Sequence, residues 1–383
     1  MSTNSRLKVG VIGCGIVAKN GHLPWYSKSP LAEVYAIADP DSNHLKKVSN
    51  LYHPVKQYQD PNELIDDPQI DAISICSPNW AHKDQVIRAA NNGKHILCEK
   101  PLAVSLKNVD EMIRAVERNG VIFQTATQKR FDPGFQKIKE ILEKGTLGEI
   151  VHVSLYWYHY IPDLDAKWIK KGLTFFKKLG IDILKELGAW RLTDPRSGGG
   201  DFLDHGPHYI DLLRWWFGEL KNVSAQVRKF QAANQYEDHT AALFSFKESR
   251  TTAIFERSYN FVGRHAGKEQ GRIHGLKGKL LFDVPFEPKL KPMKVYKYLY
   301  PNIITDRPTR MMIRGSKDPW NLSYARQVRS FINHVLDRSN EDVGFPKEWI
   351  PTIYDGRAAL EAVMAAYESS RMQSMISFPF IPK

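Results

Sequence analysis

Leu7-Lys8-Val9-Gly10-Val11-Ile12-Gly13-Cys14-Gly15-Ile16-Val17-Ala18 decides the fold of the first third of this chain. Residues 7–12 are a short β-rich run ending beside a glycine. The run leads directly into the pattern G-x-G-x-x-A. Gly13 permits a tight turn, Gly15 lets the backbone approach a pyrophosphate, and Ala18 permits close helix–strand packing. The next helix would present its free N–H groups to the phosphates. Alone the pattern is weakly specific, but its place after a strand strengthens it. Asp39 closes a second apolar run, 34–38, 26 residues after Gly13. A carboxylate there can accept from ribose hydroxyls and would repel a 2′-phosphate, which favours NAD over NADP. The plainer alternative is a turn aspartate working with Pro40 and Asp41.

Similar apolar runs recur at 72–76, 96–98 and 121–125, with helical patterns between them. One such pattern, 81–90, stops at Asn91-Asn92-Gly93. Another is capped by Ser105, carries Leu106, Val109, Ile113 and Val116 on one face, and ends at Gly120. Alternating strands and helices predict a doubly wound parallel sheet with right-handed crossovers over 1–125. The remainder, 126–383, has a different texture. Its aromatic-rich strand patterns at 150–160, 223–231, 240–246, 251–259 and 271–282 predict an α+β domain with a mostly antiparallel sheet covered on one face. A last helix, about 354–371, has Leu360, Val363, Met364 and Tyr367 on one stripe and is available to pack back on the first domain.

The chain has 383 residues and a formal net charge of +12. That length suits two domains. The polar first residues show no signal peptide, and no run reaches the roughly 18 apolar residues of a membrane span. Three cysteines without metal-type spacing read as reduced, buried thiols of a cytoplasmic protein. The basic stretch 167–185 reads as a solvated face. No nucleic-acid motif accompanies it, although an anionic substrate stays open.

Two further stretches carry chemistry. Lys100 comes just after the run 96–98 and precedes Pro101, so it projects from the carboxyl end of a parallel strand, where such folds bind ligands. Ser77-Pro78-Asn79 sits at the next such edge and reads equally as a ribose contact or as ordinary turn chemistry. In Ser197-Gly198-Gly199-Gly200-Asp201-Phe202-Leu203-Asp204-His205-Gly206-Pro207-His208-Tyr209-Ile210-Asp211, helical spacing puts Asp204, His208 and Asp211 on one face, with Pro207 expected in the first turn. His208 is a natural general base for a hydroxyl. The alternative is a helix-start aspartate beside a structural histidine, and metal ligation is disfavoured by too few ligands.

These motifs together, with His82, Gly93-Lys94-His95, Glu99-Lys100-Pro101 and Gly145-x-Leu147-Gly148-Glu149-Ile150, resemble the Gfo/Idh/MocA oxidoreductase family. The resemblance runs in order along nearly the whole chain. It implies a Rossmann domain, a second domain with a large open sheet, and sheet pairing into homodimers or homotetramers. It implies Lys100, Asp204 and His208 as the catalytic set. It implies cofactor contacts from Gly13, Cys14, Gly15, Ile16, Val17, Asp39, Ser77, Pro78, Asn79, His82, Glu99, Lys100, Gln128, Trp190 and Arg191. Substrate contacts are expected from Lys100, Arg130, Asp204 and His208, and from Tyr158 in the aromatic run 156–160. Residues 161–196 are long and lysine-rich where the family varies its substrate pocket.

The expected activity is NAD-dependent interconversion of a secondary alcohol and a ketone on a sugar, sugar derivative or cyclitol, with no nucleic acid or membrane partner. An alternative in the same fold oxidises a glycoside transiently, eliminates, and adds water. A non-enzymatic cofactor-binding regulator is disfavoured by retention of Lys100, Asp204 and His208 together.

Overall fold

The computed structural model describes residues 6–159, 171, 190, 194–231, 234–260, 268–285, 294–299 and 319–382. Arg191 and most of the lysine-rich stretch 161–196 lie outside the described residues.

The first sheet is built from β1 (Leu7–Ile12), β2 (Ala32–Ala38), β3 (Lys56–Tyr58), β4 (Ala72–Ile75), β5 (His95–Glu99) and β6 (Phe123–Ala126). All neighbours are parallel, in the order β3-β2-β1-β4-β5-β6. The order reverses between β1 and β4, and open α/β sheets bind their ligands at that reversal, beyond the strand carboxyl ends. Helices α1 (Leu23–Lys28), α2 (Ser42–Tyr52), α3 (Pro61–Asp66), α4 (His82–Asn91) and α5 (Leu106–Asn119) connect the strands. Ser105 Oγ accepts from Asn108 N at 3.3 Å to start α5, and Gly120 stops it with φ 61°. The short strand β3 lacks an apolar run, so the sequence pattern does not announce it.

Helix α6 (Pro133–Glu143) leads into the second sheet, formed by β7 (Ile150–Tyr158), β8 (Leu220–Arg228), β9 (His239–Phe246), β10 (Thr252–Ser258), β11 (Lys268–Gly275), β12 (Gly278–Pro285), β13 (Lys294–Leu299) and β14 (Ile376–Ser377). The order is β13-β12-β11-β7-β10-β9-β8-β14, antiparallel except for the parallel pair β7/β10. The single expected strand 271–282 is instead a hairpin. Leu276 and Lys277 make its turn, and Phe282 pairs back on Gly271.

Helix α7 (Asp201–Phe217) packs on one face of this sheet. It begins six residues before Pro207, so that proline lies inside the helix and not in its first turn as expected. The start is fixed from outside the helix. The Glu237 carboxylate accepts from Gly200 N and Phe202 N, serving N–H groups that have no partner within a helix. The fit is tight, since a Cβ on Gly200 would lie 2.3 Å from the Glu237 carbonyl oxygen.

Two late helices return to the first domain. The sequence pattern predicted only the second of them. In α8 (Pro319–Val335), Val328, Phe331 and Ile332 join Val9, Val11, Leu23 and Ala126 in one apolar core. Part of the range assigned to a second domain therefore completes the first. Helix α9 (Ile353–Met372) opens with a capping box between Thr352 and Asp355 and packs between the domains, against Leu102 through Gly356. Among the described residues no helix is long and apolar enough to cross a membrane.

Candidate functional site

The glycine-rich turn leaves β1 with Gly13 at φ 87°, a left-handed backbone angle that glycine adopts at no steric cost. A Cβ there would sit 2.7 Å from the Cys76 carbonyl oxygen, at the end of the neighbouring strand. Gly15 is the opposite case: its Cβ would meet nothing within 4 Å. Open space beside a backbone at the sheet reversal is what a close-approaching pyrophosphate needs. Cys14 N donates to Asp39 Oδ2 at 2.7 Å, and Asp41 N donates to Asp39 Oδ1 at 2.8 Å. Asp39 thus braces the turn through both carboxylate oxygens. Burial and Asp39 push the Cys14 thiol up to about 12, so it stays protonated. Ile16 and Val17 begin the helical stretch, with Ile16 exposed at the turn.

That stretch widens into a π-helical turn at Ala18–His22. The turn drives His22 fully inside, with Nε2 3.0 Å from Glu99 Oε1 and Nδ1 2.7 Å from Ser74 Oγ. Glu99 is therefore gripped from below at the end of β5, and its Oε2 accepts from the Lys100 amide at 3.3 Å. His22 escapes sequence reasoning because a π turn shifts the helical register by one residue.

Beyond β4, Ser77 Oγ donates to Gln85 Oε1 at 2.6 Å. Pro78 starts the turn into α4, its carbonyl accepting from Ala81 N. Asn79 Nδ2 donates across the domains to Ser197 O at 2.8 Å, while Asn79 Oδ1 is buried with no partner among the described residues. His82 corrects an expectation. Its ring nitrogens lie against two loop carbonyl oxygens, of Ser77 at 2.8 Å and Pro101 at 3.0 Å, and the neutral ring donates to one of them, so both nitrogens are engaged within the protein. Burial lowers its pKa. Trp190 meets Trp80 edge-on at 4.9 Å between centroids, and Arg196 lies 4.5 Å over Trp80.

The residues after β6 divide sharply. Gln128 Oε1 is buried without a partner among the described residues. Lys129 Nζ pairs with Glu269 Oε2 at 2.6 Å and lies 4.9 Å over the Tyr209 ring. Arg130 is a second correction. Its guanidinium donates to both oxygens of Asp211, at 2.7 and 2.5 Å, and to Asp355 Oδ1 at 2.9 Å. These bonds brace the turn after β6 against α7 and α9, and they occupy the group expected to hold substrate. Asp211 thereby leaves the proposed catalytic face for a structural role.

Helix α7 delivers the candidate catalytic residues Asp204 and His208. Lys100 Nζ donates to Asp204 Oδ1 and to the Asp204 carbonyl oxygen, both at 2.9 Å, across the domain boundary. Both side chains keep slight exposure, 11% and 13%, so the pair is reachable from solvent. His208, one turn on, is buried, and its Nδ1 has no partner among the described residues. Burial, then the cations Lys100 and Lys129, hold its pKa well below the usual imidazole value, so the ring is neutral. Asp201 and His205 share this helix, with Nδ1 2.8 Å from Asp201 Oδ1. Arg257 from β10 donates to Asp201 at 2.9 Å. Spacing of i, i+4 from Asp201 to His205 was the available sign of this pair.

Tyr158 is the third correction. Strand residues alternate between faces. Trp157 points to α7, with its ring centroid 4.6 Å from that of His205, while Tyr158 points to the opposite face and donates to Glu256 Oε2 at 2.9 Å. The aromatic of this strand that borders the cluster is Trp157. Among the described residues no three His, Cys, Asp or Glu side chains are grouped to hold a metal ion.

Residues 7–127 match the oxidoreductase family described as having an NAD-binding Rossmann fold, and residues 135–281 match the Gfo/Idh/MocA C-terminal domain. The chain belongs to the Gfo/Idh/MocA oxidoreductase family. One similar member is myo-inositol 2-dehydrogenase of Thermotoga maritima, 38% identical over 213 residues, which is 56% of this chain and 55% of that enzyme. An uncharacterised oxidoreductase of Bacillus subtilis is 27% identical over 95% of this chain and 94% of its own. Levoglucosan dehydrogenase, solved with NADH and levoglucosan, has the same fold as this chain, with a TM-score of 0.79 at 20% identity, covering 98% of this chain and 100% of its own.

Three features suit this family's dinucleotide: the open face of Gly15, the orphaned oxygens Asn79 Oδ1 and Gln128 Oε1 at strand carboxyl ends, and the Asp39 carboxylate.

Proposed function

We propose that this protein is an NAD-dependent dehydrogenase that interconverts a secondary alcohol and a ketone on a sugar, sugar derivative or cyclitol. The observation that carries the reading is the Lys100–Asp204 pair, closed across the two domains beside a neutral, unpartnered His208. Bound nicotinamide supplies the hydride acceptor. Gly13 and Gly15 shape the pyrophosphate turn, and Asp39 receives ribose hydroxyls, which favours NAD over NADP. Asn79 and Gln128 offer acceptors to the carboxamide end. His208, kept neutral by burial, takes the hydroxyl proton. Lys100 donates to the oxygen as it becomes an alkoxide, and Asp204 orients Lys100 and the hydroxyl.

Family membership supports a carbohydrate or cyclitol substrate, since similar members include a myo-inositol 2-dehydrogenase. Inositols, monosaccharides, sugar phosphates and glycosides, each mixed with enzyme and NAD, form the test. NADH absorbance with one of the polyols is the expected result, and free sugar release from a glycoside without NADH build-up would replace dehydrogenation by transient oxidation. A second copy of the chain is the expected partner. The sheet face opposite α7 carries Ile254, Tyr156, Tyr158 and the exposed Leu243 around Glu256, a mixed strip that a like face can cover. Leu243→Asp should shift a dimer or tetramer toward monomer in sedimentation velocity.

A further inference from the structure

The Asp201–His205 pair has no task in the mechanism above, and its electrostatics define what it can bind. Asp201 and Arg257 are each 1% exposed and bonded to one another, so the carboxylate is fixed and charged. Arg257 holds its pKa below the ordinary carboxylate value despite burial. A carboxylate only accepts. The 2.8 Å contact from His205 Nδ1 to Asp201 therefore puts the ring proton on Nδ1. Two donors also approach Nδ1, Arg257 Nη2 and Tyr259 Oη, but both stand at 3.4 Å, and the shorter contact decides the tautomer. Burial lowers the His205 pKa, so the ring carries one proton and Nε2 is left as a lone pair.

No described residue hydrogen-bonds Nε2. The side chain remains 20% exposed, and Nδ1 lies 3.5 Å from Asp204 Oδ2, whose other oxygen holds Lys100. His205 thus lies beside the Lys100–Asp204 pair, one side chain further along, and like it stays open to solvent. Trp157 and Tyr259 stand edge-on to the ring, at 4.6 and 6.1 Å between centroids, and confine it.

We propose that His205 is a specificity-determining residue, whose Nε2 accepts a hydrogen bond from a second substrate hydroxyl neighbouring the one that is oxidised. The inference rests on the dehydrogenase reading and deepens it, naming a neutral vicinal diol as the substrate class. A lone pair there disfavours a phosphate or carboxylate at that carbon, whatever the chain's overall positive charge.

The test is a cycle of substrate against enzyme. The probes are the polyol of the panel above that gives NADH fastest and its two analogues lacking one hydroxyl beside the oxidised carbon. For wild-type enzyme, one analogue should lose kcat/KM by at least about tenfold, the scale of leaving a site group unpaired. In His205→Leu, the parent and that analogue should converge, because the group that distinguishes them is gone. Asp201→Asn should weaken the preference too, since an amide can donate to Nδ1 and move the ring proton to Nε2. Equal kcat/KM for the parent and both analogues with wild-type enzyme overturns the proposal. So does undiminished discrimination in His205→Leu. A merely structural His205 would depress both substrates alike. No NADH from any polyol overturns the dehydrogenase reading and this inference with it, whereas NADH without discrimination overturns this inference alone.

Discussion

Lys100 is held by two domains at once: its chain neighbour Glu99 is gripped by His22, and its ammonium is bonded to Asp204. That arrangement positions a cation before any hydroxyl arrives. Lys100→Met should lower turnover by at least about 100-fold, the usual scale for losing an oxyanion donor, while NAD affinity measured by fluorescence titration is unchanged. His208 gives a pH signature. Its pKa is depressed by burial and by Lys100 and Lys129, so the acidic limb of kcat/KM should fall below about 6.5, the ordinary imidazole value. Removing a nearby cation favours the imidazolium. Lys129→Met should therefore move that limb to higher pH, and an unmoved limb would detach Lys129 from His208. The motif residues of this site are local in sequence, and so Gly13, Gly15, Lys100, Asp204 and His208 could be picked out as candidates before any coordinates. The commitment of Arg130 could not. Its partners Asp211 and Asp355 lie 81 and 225 residues away, and no spacing rule connects them.

At the scale of elements, the Arg130 network joins the turn after β6 to α7 and α9. Breaking a buried pair strands an uncompensated charge. Asp211→Ala should cost about 3–5 kcal/mol in denaturant unfolding, and much of the loss should return in a double variant that also replaces Arg130 with Met. Legibility here tracked composition. The apolar runs of β1, β2, β4, β5 and β6 are dense enough to read as buried parallel strands. Lys56–Tyr58 is polar and three residues long, so β3 borrows its stability from β2. Helix α8 did carry a stripe, Tyr324, Val328, Phe331 and Ile332, at helical spacing. Its interleaved Arg and Asn residues masked the pattern. Tyr158 was misplaced for a simpler reason. Alternation says which residues share a face, but only the packing of α7 says which face is inside.

Across the whole molecule, burial keeps several histidines neutral. His82, His95, His205 and His208 have lowered pKa values, and His159 is pushed down to about 3, chiefly by desolvation. In the unfolded chain each takes up a proton near pH 6.5, while in the fold each resists it. The unfolded state then binds more protons below that pH, so stability is complete above about 6.5 and declines as pH falls. Buried Asp132, raised to about 6, acts in the opposite sense, but only as pH falls through its own titration. Denaturation midpoints should therefore fall between pH 7 and 6, and a midpoint that rose over that interval would contradict the burial of these rings.

The return of α8 and α9 to the first domain has a consequence in time. Thr125 N bonds Pro351 O at 3.0 Å, Thr125 Oγ1 bonds Thr352 O at 2.6 Å, and Tyr324 lies against Gly21. A ribosome adding about 5–20 residues per second needs roughly 10–45 s to travel from the last strand of the first sheet to these clasps. During that interval the nucleotide-binding half waits, its sheet threaded but two of its covering segments not yet made. Synthesis thus completes helix α7 before it seals the core of the first domain, and residues 324–352 lock together segments made long before them.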